Sequence, residues 1–298
     1  MNRDNIYAPF TGNNKSKVLI TGATGFIGNY VVQELLNKGF EVIATSSNIE
    51  KAKSFPWFSS VTYIEFNIKK ISDSINYFDF FRKPDIVIHL AWEGLPNYKN
   101  DFHLIENLPR HFSFIENLLK NGLQDITITG TCFEYGMQEG CLTEETPAMP
   151  GNPYAIAKNE LRKKVESLKD KYSFSFKWAR LFYMWGKGQN PKSLIAQLET
   201  ALQNGDAIFN MSGGEQVRDF SPVEDVAANI VSVAIQKKVE GIINICSGKP
   251  VTVKTFVENY LQQRNIKIQL NLGFYPYPDF EPMKFWGSNE KFKKITRV

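Results

Sequence analysis

Apolar runs and amphipathic stretches alternate along the first 180 residues of the chain. Short runs rich in β-branched residues predict strands near 17–21, 40–45, 61–65, 85–90 and 125–129. The stretches between them carry apolar residues three or four positions apart, which predicts helices near 26–38, 48–54, 72–80 and 100–121. The run 85–90 is apolar almost throughout, as is typical of a strand covered on both faces. Repeated strand–helix–strand units predict an α/β fold built on a doubly wound parallel sheet.

The pattern becomes looser after residue 180. A helix near 153–170 and a strand near 174–180 complete a first region, 17–180. Beyond it we expect short strands near 207–210 and 242–245, helices near 191–204, 222–236 and 252–263, and a proline- and aromatic-rich stretch at 273–286. These predict a smaller C-terminal α/β region, 181–298, partly interleaved with the first and bordering a cleft at the carboxyl ends of the strands. Residues 1–16 are polar, unlike a signal peptide, and are expected to form a flexible lead-in.

Three glycines join the first predicted strand to the first predicted helix. Residues 18–28 read VLITGATGFIG, with Gly22, Gly25 and Gly28 at three-residue intervals. Gly22 permits a tight turn, Gly25 lets the backbone approach phosphates, and Gly28 lets the helix pack closely on the strand. A helix that begins here presents free N–H groups to a pyrophosphate. The spacing differs from the commoner Gly-x-Gly-x-x-Gly, so the turn favours a dinucleotide site without identifying the coenzyme.

Composition and charge exclude several function classes. Hydrophobic residues make up 43% of the 298 positions and charged residues 22%, as in an ordinary globular protein. The net charge of +4 is too small to indicate a nucleic-acid partner. No apolar run approaches the length of a membrane span, and three cysteines without a Cys-x-x-Cys arrangement suit a reducing compartment. We therefore expect a cytoplasmic protein that associates with neither nucleic acid nor membrane.

A tyrosine and a lysine four positions apart supply candidate acid–base chemistry. Tyr154 and Lys158 lie at the start of the predicted helix 153–170, and their spacing places both side chains on one helical face. An ammonium beside a phenol stabilises the phenolate and lowers the tyrosine pKa. The strand 125–129 runs into Thr131, whose hydroxyl is expected beside Tyr154. Tyr-x-x-x-Lys pairs are common by chance, so the weight of this one comes from its position in a chain that begins with the glycine turn.

Together these residues resemble the extended short-chain dehydrogenase/reductases and, within them, the nucleotide-sugar epimerases, dehydratases and reductases. The matching segments are TGATGFIG (21–28), DIVIHLA (85–91), Thr131 with Tyr135-Gly136, Tyr154 with Lys158, and RDFSPVEDVA (218–227). The resemblance covers about residues 17–250. It implies a Rossmann-type domain, 17–180, that binds a nicotinamide cofactor, and a C-terminal region that binds a nucleotide-diphosphate sugar.

The resemblance also implies roles by position. Tyr154 would be the acid–base residue, Lys158 would bind the nicotinamide ribose and lower the Tyr154 pKa, and Thr131 would orient the reacting oxygen. Arg218 matches an arginine that grips the substrate diphosphate; its alternative role is a structural ion pair with a nearby carboxylate. The other residues expected at the cofactor are Gly22, Thr24, Gly25, Phe26, Ile27, Gly28, Asn67, Ile68, Leu90, Ala91, Trp92, Asn107 and Thr129. The other residues expected at the substrate are Trp92, Glu93 and Tyr183.

Two departures from the family pattern narrow the activity. Dehydratases that resemble this chain carry an Asp-Glu pair after the catalytic hydroxyl residue, where this chain has Cys132 and Phe133. Neither side chain can protonate a departing hydroxyl, and Glu134 is expected on the opposite face of an extended segment. Dehydration is therefore not expected. Many epimerases carry an asparagine at the position of Tyr183, which weakens a galactose-type epimerase assignment.

The end of the second predicted strand bears on the choice of coenzyme. NAD-selective sites place an Asp or Glu there, on the adenosine ribose. This chain instead has Thr45, Ser46 and Ser47, followed by Lys51 and Lys53 in the next helix. The hydroxyls can donate hydrogen bonds to a 2′-phosphate and a lysine adds positive charge, so NADP is predicted. A serine at this position also tolerates NAD.

A preference for NADP fits a net reductase better than an epimerase, which recycles its bound NAD. The leading hypothesis is an NADPH-dependent reductase of a nucleotide-diphosphate 4-keto-6-deoxy sugar, acting at carbon 4 and supplying a deoxysugar for surface polysaccharide. An NAD-dependent 4-epimerase is the alternative enzyme. A non-catalytic NADP-binding regulator is the alternative of another class, although such proteins typically lose the Tyr/Lys pair.

We expect structural roles, not chemical ones, for the histidines and for the predicted helix 100–121. His89 is expected to be a packing residue, and no metal site is predicted because His103 and His111 have no further ligand pattern around them. The helix 100–121 has one apolar face, with Phe102, Ile105, Leu108, Phe112, Ile115 and Leu119. That face either packs on the sheet or, together with the helix 153–170, forms a four-helix homodimer interface.

Overall fold

The computed structural model describes residues 16–296, so of the predicted lead-in only residue 16 falls within it. The strands are β1 (Lys17–Thr21), β2 (Glu41–Ser46), β3 (Thr62–Glu65), β4 (Ile86–His89), β5 (Asp125–Thr131), β6 (Gly140–Leu142), β7 (Ser175–Leu181), β8 (Tyr183–Trp185), β9 (Ile208–Asn210), β10 (Val217–Pro222), β11 (Gly241–Ile245), β12 (Pro250–Thr252), β13 (Gln269–Asn271) and β14 (Phe285–Gly287). The helices are α1 (Phe26–Asn37), α2 (Ile49–Lys53), α3 (Tyr77–Phe80), α4 (Leu108–Lys120), α5 (Pro153–Ser167), α6 (Leu194–Asn204), α7 (Val223–Ile235), α8 (Val253–Gln263) and α9 (Glu290–Thr296).

Seven strands form one sheet in the order β11-β7-β5-β4-β1-β2-β3, and all neighbouring pairs are parallel. In its register, Ile20 pairs with Ala44 on one side and with Ile88 on the other. The chain proceeds from β1 outward to β3 and restarts with β4 on the other side of β1. A crevice opens where the strand order reverses, beyond the carboxyl ends of β1 and β4. The predicted Rossmann-type parallel sheet is confirmed.

Helices cover both faces of this sheet. α1 and α7 pack together over one face, where Val31 and Ile230 are fully buried. α4 and α5 cover the other face, where Phe114 and Leu161 are fully buried. Each such side chain stabilises the fold by about 1.5–3 kcal/mol relative to an exposed one. Of the predicted apolar face, Ile115 and Leu119 are buried, whereas Ile105 is 72% exposed. The homodimer stays a prediction.

The chain after residue 180 contributes both to the large sheet with its covering helices and to a set of smaller elements beside it. β11 pairs with β7 at the edge of the large sheet, and α7 packs on α1. Other elements form the small sheets β12-β10-β8 and β13-β9, beside a second core in which α6 and α8 bury Leu198 and Val257. β14 pairs with β6 from the earlier part of the chain. The division of the chain into a cofactor region and a substrate region stays a prediction.

Several predicted elements differ from the structure in extent. The predicted helix 72–80 is reduced to α3, because the Asn76 side chain accepts a hydrogen bond from Asp79 N (3.1 Å) and caps the helix there. The predicted helix 100–121 begins with a π turn, His103–Asn107, and becomes α-helical at Leu108, next to a proline without an N–H. The sequence pattern also missed the strands outside the large sheet except β9, since most span only three residues. Of the helices in residues 16–296, none is long and apolar enough for a membrane crossing.

Candidate active site

A cavity of about 800 Å³ lies at the carboxyl ends of the central strands, within the size range of small-molecule sites. Gly22 after β1, Leu90 after β4 and Thr131 at the end of β5 line one side of it. Arg218 on β10 and Glu281, between β13 and β14, line the other side. The cavity therefore joins the parallel sheet to the smaller C-terminal elements.

The glycine turn brings the backbone close to this cavity. Gly22 has a φ of +71°, and a Cβ on it would lie 3.0 Å from Ala91 N. A Cβ on Gly28 would lie 2.1 Å from the Gly22 carbonyl oxygen, so no side chain fits where α1 crosses the turn. α1 starts directly after Gly25, and its free N–H groups are suited to a pyrophosphate. The turn fits the dinucleotide expected from the sequence.

Gly28→Ala is expected to weaken coenzyme binding at least about tenfold and to destabilise the fold by about 1–3 kcal/mol, because the new methyl group displaces the phosphate-binding turn. Titration of the coenzyme by tryptophan fluorescence and urea unfolding measure the two effects. Gly151→Ala is the matched control, since nothing lies within 4 Å of a Cβ at that position. Equal coenzyme affinity in the two variants would contradict the role given to the turn.

The residues predicted to select the coenzyme differ in accessibility. Thr45 is buried, and its Oγ1 has no hydrogen-bond partner within residues 16–296. Ser46 Oγ lies 2.8 Å from Tyr63 Oη, whereas Ser47 is exposed. The register places Glu65, at the end of β3, beside Ser46. As predicted, β2 itself ends without a carboxylate. The neighbouring strand β3, however, brings the Glu65 carboxylate to the same end of the sheet.

Thr131, Tyr154 and Lys158 come together where β5 ends and α5 begins. Thr131 and Tyr154 both line the cavity. Lys158 is buried behind them, with its ammonium 4.5 Å from the ring centre of Trp92 and 5.5 Å from that of Trp178. Both distances are within the range of a cation–π interaction. The structure thus assembles the three residues that the sequence singled out.

The protonation of this trio differs from the sequence-based expectation. Burial raises the pKa of Tyr154 above its ordinary value, and the nearby Thr131 hydroxyl opposes this only in part. Burial lowers the pKa of Lys158 to about 8, an effect that the Glu134 carboxylate opposes. The predicted lowering of the Tyr154 pKa by Lys158 is not found, because desolvation of the phenol dominates. Tyr154 therefore holds its proton at neutral pH.

Glu134 forms a buried anchor beneath the trio. The chain turns into a 3₁₀ helix at Cys132–Tyr135 instead of remaining extended, and this turn carries the Glu134 carboxylate inward. The carboxylate accepts hydrogen bonds from Thr131 N (2.8 Å), Trp178 Nε1 (3.0 Å) and Arg180 Nη2 (2.8 Å). Both Glu134 and Arg180 are almost completely buried. The pair fixes the backbone of Thr131 at the cavity wall.

A chain of hydrogen bonds runs from the first strand through two histidines. Thr21 Oγ1 accepts the backbone N–H groups of the two residues after His89 (3.2 Å each), so it donates to His89 Nδ1 (2.8 Å). His89 Nε2 then donates to His111 Nδ1 (2.7 Å), and His111 Nε2 donates to Glu93 Oε2 (3.1 Å). Burial lowers the pKa of both histidines, consistent with these neutral tautomers. Thr21 therefore holds the turn after β4 in place, and His89 orients the Thr21 hydroxyl.

The predicted site residues divide into two groups. Those that line the cavity are Gly22, Gly25, Phe26, Ile27, Gly28, Leu90, Trp92, Thr131, Tyr154, Tyr183 and Arg218. Those outside the lining are Thr24, Thr45, Ser46, Ser47, Asn67, Ile68, Ala91, Glu93, Asn107, Thr129 and Lys158. Glu93 was expected at the substrate, but its carboxylate is directed to His111. Asn107 Nδ2 donates to the Glu93 carbonyl oxygen (3.0 Å), which fixes the same loop.

Arg218 is engaged within the protein on the far side of the cavity. Its Nη2 donates to Glu281 Oε2 (2.9 Å), and its Nη1 donates to the carbonyl oxygens of Val217 (2.9 Å) and Met283 (3.1 Å). Tyr183 Oη also donates to Glu281 Oε2 (2.5 Å). The structure therefore shows the ion pair that the sequence left as the alternative role of Arg218.

Sequence reasoning did not find several residues of the site. Glu281 and Tyr98 lie on the cavity wall, and His111, Trp178 and Arg180 support it from behind. No local motif marks these residues, since each reaches the site through contacts between distant parts of the chain. Within residues 16–296, no cluster of histidine, cysteine, aspartate or glutamate could hold a metal ion.

Comparisons with known proteins agree with this geometry. A dTDP-6-deoxy-L-talose 4-dehydrogenase (NAD(+)) of Aggregatibacter actinomycetemcomitans is 32% identical over 272 residues, which cover 91% of this chain and 99% of the relative. A dTDP-4-dehydro-6-deoxyglucose reductase of Escherichia coli is 24% identical, covering 82% of this chain and 80% of the relative. The structure of a UDP-glucuronic acid 4-epimerase of Bacillus cereus, in complex with UDP-glucuronic acid and NAD, has a TM-score of 0.80 at 21% identity and shares the fold over 94% of this chain and 92% of its own.

The family model described as "NAD dependent epimerase/dehydratase family" matches residues 18–246. This range contains the glycine turn, Thr131, Tyr154 and Lys158. The parallel sheet and the cavity at its switch point are the structural counterparts of that match. The protein is therefore a member of the NAD-dependent epimerase/dehydratase family, among the extended short-chain dehydrogenase/reductases.

Proposed function

We propose that this protein reduces the carbon-4 ketone of a nucleotide-diphosphate 4-keto-6-deoxy sugar, with NADPH as the coenzyme. The observation that carries the proposal is the position of Tyr154, a buried phenol that lines the cavity together with Thr131. Such a group keeps its proton until negative charge develops on a nearby oxygen. The names of two relatives, a 6-deoxytalose 4-dehydrogenase and a 4-dehydro-6-deoxyglucose reductase, support the substrate class.

In this proposal, the residues of the trio have separate tasks. Tyr154 donates its proton to the carbonyl oxygen, and the Thr131 hydroxyl holds that oxygen in place. The buried Lys158 ammonium stabilises the negative charge that develops on oxygen, because fixed charges act strongly in a water-poor site. The nicotinamide coenzyme, when bound, supplies the hydride to carbon 4, and the glycine turn binds its pyrophosphate.

The residues next to Thr131 support reduction over dehydration. Burial raises the pKa of the Cys132 thiol, so this side chain is a weak acid, and Phe133 has no proton to give. Glu134 is the nearest carboxylate in sequence, but its oxygens are taken by Thr131, Trp178 and Arg180. It is also completely buried. A departing hydroxyl would therefore find no general acid on this turn.

The proposed preference for NADPH rests on the exposed Ser47 and the lysines of α2. The observation that favours NADH is Glu65, which lies at the same edge of the sheet, although its Oε1 already accepts a hydrogen bond from Ile49 N (3.2 Å). The name of one relative also specifies NAD⁺. Parallel reactions with the two coenzymes decide between these candidates.

The test is the absorbance at 340 nm of purified protein mixed with NADPH or NADH and a panel of 4-keto-6-deoxy nucleotide sugars. Loss of absorbance with one member, at a higher kcat/KM for NADPH, is the expected result. A new nucleotide sugar formed without added coenzyme would instead indicate the 4-epimerase. Coenzyme binding without turnover of any member would favour the non-catalytic regulator.

The pH dependence of reduction follows from the same two residues. Tyr154 is protonated at neutral pH, whereas Lys158 loses its charge as the pH rises through about 8. Reduction needs the proton of Tyr154 and the positive charge of Lys158. The ratio kcat/KM for the coenzyme reports the free enzyme. We expect this ratio to be level between about pH 6.5 and 7.5 and to fall above pH 8. Lys158→Arg should remove the alkaline decline, because arginine stays charged. A level profile to pH 9.5 in the wild type would contradict the assignment.

A further inference from the structure

Glu281 places a carboxylate in the cavity wall, next to a cluster of aromatic rings. It lies on the segment between β13 and β14, and its side chain is 13% exposed. The rings of Tyr98, Phe133 and Phe280 pack against one another in the same region, with centroids 5.2 to 6.2 Å apart. The Tyr98 ring is also 5.5 Å from that of Tyr154. The Tyr98 ring therefore lies between the segment that carries Glu281 and Tyr154, and both Glu281 and Tyr154 face the same cavity.

The two oxygens of this carboxylate are not equivalent. Oε2 accepts hydrogen bonds from Tyr183 Oη (2.5 Å) and Arg218 Nη2 (2.9 Å), which fix the orientation of the group. Oε1 accepts no hydrogen bond within residues 16–296. A carboxylate oxygen has lone pairs for donors such as hydroxyl groups. An oriented carboxylate with one free oxygen is suited to bind a hydroxyl-bearing ligand.

In the described part of the chain, the other charged residues that line the cavity leave Oε1 of Glu281 without a partner. Apart from Glu281, the charged residues that line the described cavity are Arg218, which is paired with Glu281, and Lys192, which is exposed. Burial raises the pKa of Tyr183, with the nearby Glu281 charge adding to the effect, so the phenol stays a donor to the carboxylate. A second anion brought beside Oε1 would find no additional cation there.

We propose that Glu281 binds a hydroxyl group of the sugar through Oε1 and discriminates against sugars that carry a carboxylate. This inference rests on the proposed function and adds a specificity-determining residue to it: Glu281 favours the neutral 4-keto-6-deoxy sugar over a sugar that carries a carboxylate. Hydroxyls donate to Oε1, whereas a sugar carboxylate would repel it. Arg218 and Tyr183 act as positioning residues for Glu281 in this arrangement.

The experiment compares Glu281→Gln and Glu281→Ala with the wild type. Glu215→Gln is the matched control. The Glu215 carboxylate accepts a hydrogen bond from Tyr277, which lies on the same segment as Glu281, but Glu215 does not line the cavity. Two measurements are made: KM and kcat for the panel substrate, and calorimetric binding of UDP-glucose and UDP-glucuronic acid. Thermal unfolding shows whether each variant is folded, and Tyr183→Phe tests the anchor with the charge left in place.

Glu281→Ala is expected to lose about 10- to 100-fold in kcat/KM, mainly through KM, because a hydrogen bond to a charged group is lost. Glu281→Gln should shift the binding ratio at least about fivefold toward UDP-glucuronic acid. Tyr183→Phe should raise KM while keeping the preference for the neutral sugar, and Glu215→Gln should match the wild type. The inference would be overturned if the Glu281 variants behave like Glu215→Gln. It would also be overturned if the wild type binds UDP-glucose and UDP-glucuronic acid equally, or binds neither. Retained preference without turnover would contradict only the proposed reduction.

Discussion

Tyr154→Phe is expected to lower kcat for the proposed reduction by about 10²- to 10⁴-fold, the contribution that a positioned general acid makes. The phenylalanine keeps the ring, which lies 6.2 Å from the Trp92 ring and 5.5 Å from the Tyr98 ring, so the cavity wall is preserved. Coenzyme affinity should change little, since the glycine turn and Lys158 are intact. Stopped-flow measurement of hydride transfer in a single turnover separates this effect from product release.

Tyr98→Phe is the matched control for this prediction. Tyr98 also lines the cavity, and burial and the Glu281 charge raise the pKa of its phenol to about 12. Its removal deletes a hydroxyl near the same centre without touching the trio. We expect a loss of no more than about tenfold, the size of one ordinary hydrogen bond. Similar losses in both variants, or none in Tyr154→Phe, would remove Tyr154 from the role of proton donor.

The sequence predicts those parts of the candidate site whose residues lie close together along the chain. The strand, the turn at Gly22 and the start of α1 form one continuous segment, so their geometry can be read from glycine spacing and apolar pattern. Tyr154 and Lys158 are one helical turn apart on α5, which makes their common face predictable. The order of parallel strands then places Thr131 beside them.

The electrostatics of the site depend on contacts that no local pattern contains. The Tyr154 pKa is raised because tertiary packing buries the phenol, and burial is a property of the complete fold. The Glu134–Arg180 pair joins residues 46 positions apart, and the Arg218–Glu281 pair joins residues 63 positions apart. The strands around Glu281 are three residues long, too short for a recognisable period. Spacing rules therefore identified Arg218 but not its partner.

The prediction for Glu134 assumed an extended segment, which the structure does not show, although Glu134 does lie outside the cavity lining as predicted. Alternation of side chains along a strand predicted that Glu134 points away from the site. The strand ends at Thr131, however, and the Thr131 side chain and the Glu134 carboxylate form a capping box that starts a 3₁₀ turn. Thr-x-x-Glu is the local signal for such a cap and would have indicated the turn. A residue excluded as a catalytic acid is therefore the group that holds the Thr131 backbone in place.

Glu134→Gln is expected to destabilise the protein by about 3–5 kcal/mol, because it leaves the Arg180 guanidinium buried without a counter-charge. The amide cannot replace the carboxylate: its NH₂ group would face the donors of Trp178 or Arg180, which now point at oxygen. Urea unfolding followed by fluorescence measures the loss. Glu166→Gln breaks the more exposed pair with Arg162 on α5 and should cost less than about 1 kcal/mol.

The same variant also tests whether the anchor supports catalysis. If Glu134 positions Thr131, the folded fraction of Glu134→Gln at low temperature should show a lower kcat with a nearly unchanged affinity for the coenzyme, because the glycine turn is distant in the chain and does not contact Glu134. A variant that is destabilised but keeps the wild-type kcat would restrict Glu134 to the stability of the fold. Stability equal to that of Glu166→Gln would instead contradict the buried ion pair itself, and with it the account of how Thr131 is held at the cavity wall.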